Sequence, residues 1–104
     1  MVMRKIRCLL VDDHTLVRQG IRQLLEREAD IEVIEEASSA QEGVKKTREL
    51  RPDVVLMDLA MPGLSSFEAV RQIRKLSPGT KVLFLTMHDD EEYVVEVMDA
   101  GSAG

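Results

Sequence analysis

The sequence predicts an α/β domain in which helices cover both faces of a doubly wound parallel sheet. Three short apolar runs of strand length, residues 6–11, 54–57 and 81–86, are the first observation. The second is their alternation with segments of helical periodicity, so that a strand–helix unit occurs four times without a long linker. Such alternation indicates parallel strands joined by right-handed crossovers.

Composition restricts the class of protein. We expect residues 1–104 to form one domain. With 44% hydrophobic and 32% charged residues, the chain is typical of soluble globular proteins. No apolar run approaches the roughly 20 residues of a membrane span, and no signal peptide is recognisable, so we expect a cytoplasmic location and no membrane contact. The net charge of −5 argues against direct nucleic-acid binding by this segment.

The first strand, residues 6–11, ends on two acids, Asp12 and Asp13. Its cysteine, Cys8, is predicted to be a small buried hydrophobe, and a single cysteine excludes disulfide scaffolds and cysteine zinc sites. A one-sided helix follows, which Asp13 or Thr15 could cap. Its predicted inward residues are Val17, Ile21, Leu24 and Leu25, and its predicted outward residues are Arg18, Arg22, Glu26 and Arg27.

Later elements are predicted in the same way. Residues 31–37 mix apolar and acidic side chains, as expected of an edge strand. Ser39 and Glu42 have the spacing of a capping box at the second helix. The third helix, capped by Ser65 or Ser66, has a predicted apolar face of Phe67, Val70, Ile73 and Leu76. A fourth helix is predicted within residues 89–100, which begin with an acidic turn.

Asp58 ends the third strand just before the turn at Pro62-Gly63. Ligands of open α/β sheets bind at the carboxyl ends of strands, although a loop Asp also commonly caps a turn, so Asp58 alone leaves both roles open. If strands one and three are neighbours, Asp12, Asp13 and Asp58 converge. Three adjacent carboxylates indicate a divalent cation, and oxygen ligands favour Mg²⁺ or Mn²⁺ over zinc.

A carboxylate beside such a cation is suited to attack a phosphoryl group. Thr86 ends the fourth strand, and its hydroxyl could donate a hydrogen bond to a phosphoryl oxygen. Threonine is also an ordinary strand residue, so this position alone decides nothing.

Together these motifs resemble the receiver (phosphoacceptor) domain of bacterial two-component response regulators. The resemblance rests on Asp12-Asp13, on Asp58-Leu59-Ala60-Met61-Pro62 and on Thr86, in this order. The phrases Val11-Asp12-Asp13-His14 and Ala100-Gly101 are most similar to the NarL/LuxR class. This resemblance implies a flavodoxin-like doubly wound parallel sheet of order 2-1-3-4-5, of which four βα units are present here.

The resemblance also implies a function. A sensor histidine kinase would transfer a phosphoryl group to Asp58, and the module would switch a C-terminal helix-turn-helix output domain without being a turnover enzyme. Asp13, Asp58 and the backbone carbonyl of Ala60 would bind Mg²⁺ directly, Asp12 would hold it through water, and Thr86 would sense the phosphoryl group.

The family also has a fifth strand and helix, and a lysine after the Ala-Gly segment that pairs with the phosphoryl group. This sequence ends at Gly104, before them. We therefore expect an incomplete receiver, truncated before the fifth strand, with weakened phosphorylation and with an exposed apolar face that promotes self-association. We expect His14 to be a solvent-facing loop residue.

Three alternatives remain open. The first is a pseudo-receiver that acts only in protein association. The second is an Mg²⁺-dependent phosphatase with an aspartyl nucleophile, but Asp12-Asp13 lacks the Asp-x-Asp spacing of those enzymes. The third is a flavin-binding protein, which the lack of a Gly/Ser/Thr-rich loop after strand one disfavours.

Overall fold

The computed structural model describes residues 4–58, 65–87 and 93–94. Its elements alternate along the chain as the sequence predicts, up to the last of them. In chain order they are β1 (Ile6–Val11), α1 (Thr15–Glu26), β2 (Ile31–Ala37), α2 (Ala40–Leu50), β3 (Val54–Asp58), α3 (Ser66–Leu76), β4 (Lys81–Met87) and β5 (Tyr93–Val94).

The strands form one sheet of order β2-β1-β3-β4-β5, in which the first four are parallel. This order confirms the predicted doubly wound sheet, with β1 and β3 as neighbours and β2 at an edge. In the central register, Val11 pairs with Met57 of β3 and with Ala37 of β2. The carboxyl ends of β1 and β3 therefore lie level with one another.

Tyr93 and Val94 depart from the predicted fourth helix. They form the short strand β5, which pairs antiparallel with Met87 and Thr86. The physical reason is that an edge strand such as β4 presents backbone donors and acceptors that an extended segment can satisfy. The other residues of the range 89–100 lie outside the described residues.

Alternation along the strands divides the core into two clusters. Leu9, Val11, Val55 and Met57 face α2 and α3, where they are fully buried. The second cluster, on the α1 face, consists of Cys8, Leu10, Val33, Leu56 and Leu85. Cys8 is 2% exposed, as predicted, and burial raises the pKa of its thiol to about 11 despite a backbone hydrogen bond from Leu56.

The α1 face is thinly covered. No residue of α1 is fully buried, and Leu24, predicted to face inward, is 61% exposed. An apolar groove of about 340 Å³ runs between α1 and the sheet. Its lining consists of Ile6, Cys8, Ile21, Leu24, Leu25, Ile31, Val54, Leu56, Leu83 and Leu85.

The predicted N-cap residues of the helices are confirmed for α2 and α3 but not for α1. Ser39 and Ser65 cap α2 and α3 by accepting hydrogen bonds from Glu42 N and Glu68 N, both at 3.1 Å. The Glu42 carboxylate bonds to Ser38, so the capping box is only half formed. The predicted cap of α1 is wrong, because its N-cap residue is His14, which makes no side-chain capping bond.

Phe67 is also placed wrongly by the sequence pattern, since 70% of it is exposed. Ala69, Val70 and Ile73 form the buried stripe of α3. At about 100° per residue, Phe67 lies about 120° around the helix from Ile73, which is off that stripe. Its ring instead meets the edge of the core, with its centroid 6.0 Å from that of Phe84.

The amino end of the sheet is closed by hydrogen bonds between protein groups. The Asp53 carboxylate accepts from Arg7 N at 2.8 Å, while Asp53 N donates to the Arg7 carbonyl at 2.9 Å. Lys81 N donates to the Asp53 carbonyl, and Thr80 Oγ1 donates to the Pro52 carbonyl. These bonds fix the register of β1, β3 and β4 relative to one another. Among the described residues, none of the helices combines the length and apolarity needed to cross a bilayer.

Candidate functional site

The structure brings the three predicted acids together at the carboxyl edge of the sheet. Since Val11 pairs with Met57, the next residues, Asp12 and Asp58, follow side by side. Asp12, Asp13, His14 and Asp58 each offer an atom able to bind a metal, and these atoms all lie within 4.8 Å of one another. A single cation could therefore contact all of them.

Asp12 is the buried member of this group, with 1% of it exposed. Its Oδ1 accepts a hydrogen bond from His14 N at 2.8 Å, and its own backbone N donates to the Ala37 carbonyl at 3.0 Å. Burial raises the pKa of the Asp12 carboxyl, the bond from His14 opposes that rise, and the charge of Asp58 adds to it. Positive charge placed beside Asp12 would act against this rise in its pKa.

Asp13 supplies the observation that best tests the fit of a cation. Its Oδ1 is buried and has no hydrogen-bond partner within the part of the chain that the structure describes. A buried carboxylate oxygen that accepts no hydrogen bond is costly, and a coordinated cation is one way of satisfying it. The donor set, three carboxylates and an imidazole, fits a hard or borderline divalent cation.

His14 is an exposed loop residue, as expected, but it also contacts the acids. Its side chain is 63% exposed, but Nδ1 lies 2.9 Å from Asp13 Oδ1 and 3.4 Å from Asp12 Oδ1. The only signal in the sequence was its position directly after the acidic pair.

Arg18, predicted to face outward, instead supports the site, and its side chain is only 16% exposed. Its Nη1 donates to the Asp12 carbonyl at 2.6 Å, and its Nε donates to Glu36 Oε1 at 2.8 Å. Arg22 binds the other oxygen of Glu36. Although burial acts to raise the pKa of Glu36, hydrogen bonds from Arg22 and Arg18 outweigh it, and the pKa is lowered.

Two predicted site residues lie wholly or partly outside the described structure. Ala60 lies outside the described residues. The backbone of Thr86 follows Leu85, which pairs with Asp58, so this part of β4 ends beside the acids; its side chain lies outside the described part. Lys81 is exposed at the opposite end of β4 and does not reach the site.

A family profile described as "Response regulator receiver domain" matches residues 8–104. The chain belongs to this family. Among curated proteins, it is 47% identical over 97 residues to the transcriptional regulatory protein LiaR of Bacillus subtilis, covering 93% of this chain and 46% of LiaR. The chain thus spans about half the length of the curated relatives it matches.

Comparison with solved structures leads to the same family. A two-component response regulator of the LuxR family from Aurantimonas sp. SI85-9A1 is 44% identical with a TM-score of 0.76, covering 82% of this chain and 61% of that one. RcsB of Salmonella enterica, solved on a promoter with a phosphomimetic, is 26% identical with a TM-score of 0.74, covering 83% and 44%. These findings confirm the resemblance to receivers of the NarL/LuxR class.

Proposed function

We propose that this receiver accepts a phosphoryl group on Asp58 from a phosphohistidine of a sensor histidine kinase. An Asp58 carboxylate oxygen attacks phosphorus, the P–N bond breaks, and the histidine nitrogen leaves with the electron pair. The observation that carries the proposal is the convergence of Asp12, Asp13 and Asp58 within 4.8 Å at the carboxyl edge of the sheet. The site is used once per signal, so the module is not a turnover enzyme.

The cation of this site is proposed to be Mg²⁺, with Mn²⁺ as a substitute. Asp13, Asp58 and the Ala60 carbonyl would hold it directly, and Asp12 would hold it through water. When bound, it supplies positive charge that offsets the repulsion between the carboxylates and the phosphoryl oxygens. The buried Oδ1 of Asp13, which accepts no hydrogen bond within the described structure, supports this assignment.

The protein's own groups orient the reaction. The His14 backbone N–H fixes the Asp12 carboxylate, and the Arg18 guanidinium fixes the Asp12 carbonyl. The Thr86 hydroxyl would donate to a phosphoryl oxygen. We propose that this contact shifts the segment after β4 between two packings and so passes the signal on.

The names of the relatives suggest the output. LiaR is named a transcriptional regulatory protein, and RcsB was solved bound to a promoter. By analogy, we propose that the full-length protein contains a C-terminal helix-turn-helix domain and acts in the cytoplasm. The receiver itself would contact neither nucleic acid nor membrane, in keeping with its net charge of −5.

The test is phosphorylation by acetyl phosphate with Mg²⁺, followed by mass spectrometry of the intact chain. We expect a base-labile mass increase of about 80 Da, one phosphoryl group, in the wild type. The adduct should be absent from Asp58→Asn and retained in Asp30→Asn, a matched change at an exposed turn before β2. A wild type that gains no phosphoryl group with either Mg²⁺ or Mn²⁺ would refute the proposal.

A second candidate function, self-association, is favoured by the apolar groove beside α1. We propose that copies of this chain associate through this groove, whether or not Asp58 is phosphorylated. Leu24→Glu, which places a charge in the groove, should then shift the chain toward monomer in sedimentation velocity. Leu16→Glu is the matched control, because Leu16 is 83% exposed on the same helix and does not line the groove. A wild type that sediments as a monomer at every concentration contradicts this role.

A further inference from the structure

We propose that the His14 side chain is a further direct ligand of the cation, beside those of Asp13 and Asp58, and that its imidazole sets which metals this receiver prefers. The inference rests on the proposed cation site and goes beyond it, because it assigns a nitrogen ligand to a site otherwise made of oxygen. The site would then favour Mn²⁺, Co²⁺ and Ni²⁺ more strongly than carboxylates alone would.

The distances suit shared coordination. In an octahedral site with ligand bonds of about 2.1 Å, neighbouring ligand atoms lie about 3.0 Å apart. His14 Nδ1 lies 2.9 Å from Asp13 Oδ1 and 3.4 Å from Asp12 Oδ1. Asp13 Oδ1 nevertheless has no hydrogen-bond partner in the described structure, so its contact with the imidazole lacks hydrogen-bond alignment. The two atoms are therefore spaced so that one cation could contact both of them.

The described contacts of the His14 imidazole are with the Asp12 and Asp13 carboxylates, the groups that would surround the cation. As the N-cap of α1, His14 makes no side-chain capping bond, and its backbone N–H donates to Asp12 Oδ1 whatever the side chain is. The imidazole is 63% exposed, so it reaches the acids from the solvent side, where a cation would enter. Replacing the side chain should thus leave α1 and the Asp12 turn intact.

The chemistry of the ligand determines the selectivity. Mg²⁺ binds oxygen and keeps several waters, so it gains little from an imidazole. Mn²⁺, Co²⁺ and Ni²⁺ accept imidazole nitrogen, with affinity rising in that order. Removal of His14 should therefore reduce the affinity for Ni²⁺ more than the affinity for Mg²⁺.

The experiment measures the Mg²⁺ and Ni²⁺ affinities of the wild type and of His14→Ala by titration calorimetry in one buffer at one pH. We expect His14→Ala to weaken Ni²⁺ binding about ten-fold or more and Mg²⁺ binding less than about three-fold. Equal losses for the two cations, or an unchanged Ni²⁺ affinity, would overturn the inference while leaving the Mg²⁺ site in place. A wild type that binds neither cation would overturn the site itself, and the inference with it.

A second readout does not depend on affinity. Pulsed EPR of the Mn²⁺-loaded wild type should show coupling to an imidazole nitrogen. The chain has two histidines, so the coupling should disappear in His14→Ala and persist in His88→Ala. A spectrum without nitrogen coupling, or one that only His88→Ala removes, would exclude His14 as a ligand.

Discussion

The close contact between α2 and β1 can be tested by comparing the stability of two glycine-to-alanine variants. Gly43 lies within α2 and Gly20 within α1, so replacing either by alanine should gain about 0.5–1 kcal/mol of helix stability. Their surroundings differ. A Cβ on Gly20 meets nothing within 4 Å, whereas a Cβ on Gly43 would lie 2.8 Å from Val11 Cγ2 and 3.2 Å from Val11 Cγ1.

Val11 is fully buried in the core, so it has little room to yield. Overpacking a filled core by one methyl group typically costs about 1–3 kcal/mol. Gly20→Ala should therefore be more stable than the wild type. Gly43→Ala should be less stable than Gly20→Ala by about 1–3 kcal/mol, a difference that isolates the steric contact from helix propensity.

Urea unfolding followed by far-UV circular dichroism measures both variants, since the chain has no tryptophan. Because Val11 directly precedes Asp12, Gly43→Ala should also weaken Mg²⁺ binding, and Gly20→Ala should not. Equal stabilisation by the two alanines would refute the close approach of α2 to β1.

Three further predictions concern charge, metal and capping. Glu36→Gln should lower the free energy of unfolding at pH 7 by about 1–3 kcal/mol, through weaker bonds to Arg18 and Arg22. Because the folded pKa of Glu36 is lowered, its stabilisation is present above the unfolded pKa and is lost as pH falls through the folded pKa. Urea titrations at a series of pH values should therefore show the difference in unfolding free energy between the wild type and Glu36→Gln shrinking as the pH falls. A difference that stays constant contradicts the ion pairs. Mg²⁺ at 100 times its Kd should stabilise the wild type by about 2.7 kcal/mol in thermal melts, and this increment should largely vanish in Asp13→Asn or with EDTA. Ser39→Ala should cost about 1 kcal/mol in urea unfolding because it removes the cap of α2, and no loss would show that the bond to Glu42 N is not stabilising.

The strands were predictable from short-range patterns, and the convergence of acids followed once the order of a doubly wound sheet was assumed. Apolar runs give the strands, and parallel pairing of β1 with β3 brings Asp12 and Asp58 to one edge whatever the details of the loops. The proposed roles of Asp58, Ala60 and Thr86 depend on the resemblance, and they stay predictions.

The supporting contacts were not predictable in the same way. Hydrophobic periodicity assigns Arg18 to the outer side of a helix, but a long side chain in the first turns can reach back to the strand end, as its bond to the Asp12 carbonyl shows. Phe67 fits an apolar spacing, yet the position of α3 on the sheet decides which side of that stripe is buried. The pairing of Tyr93–Val94 depends on an open sheet edge, which no local pattern encodes.

The hydrogen bonds at the amino end of the sheet have a consequence for how such modules diversify. Asp53 and Arg7 set the alignment of β1 with β3 at the end away from Asp12 and Asp58. The alignment of the strands therefore does not depend on the loops at the acidic end. Sequence changes in these loops, or loops grafted from a relative, can alter partner recognition. The β1–β3 alignment that brings the acids together is then unchanged.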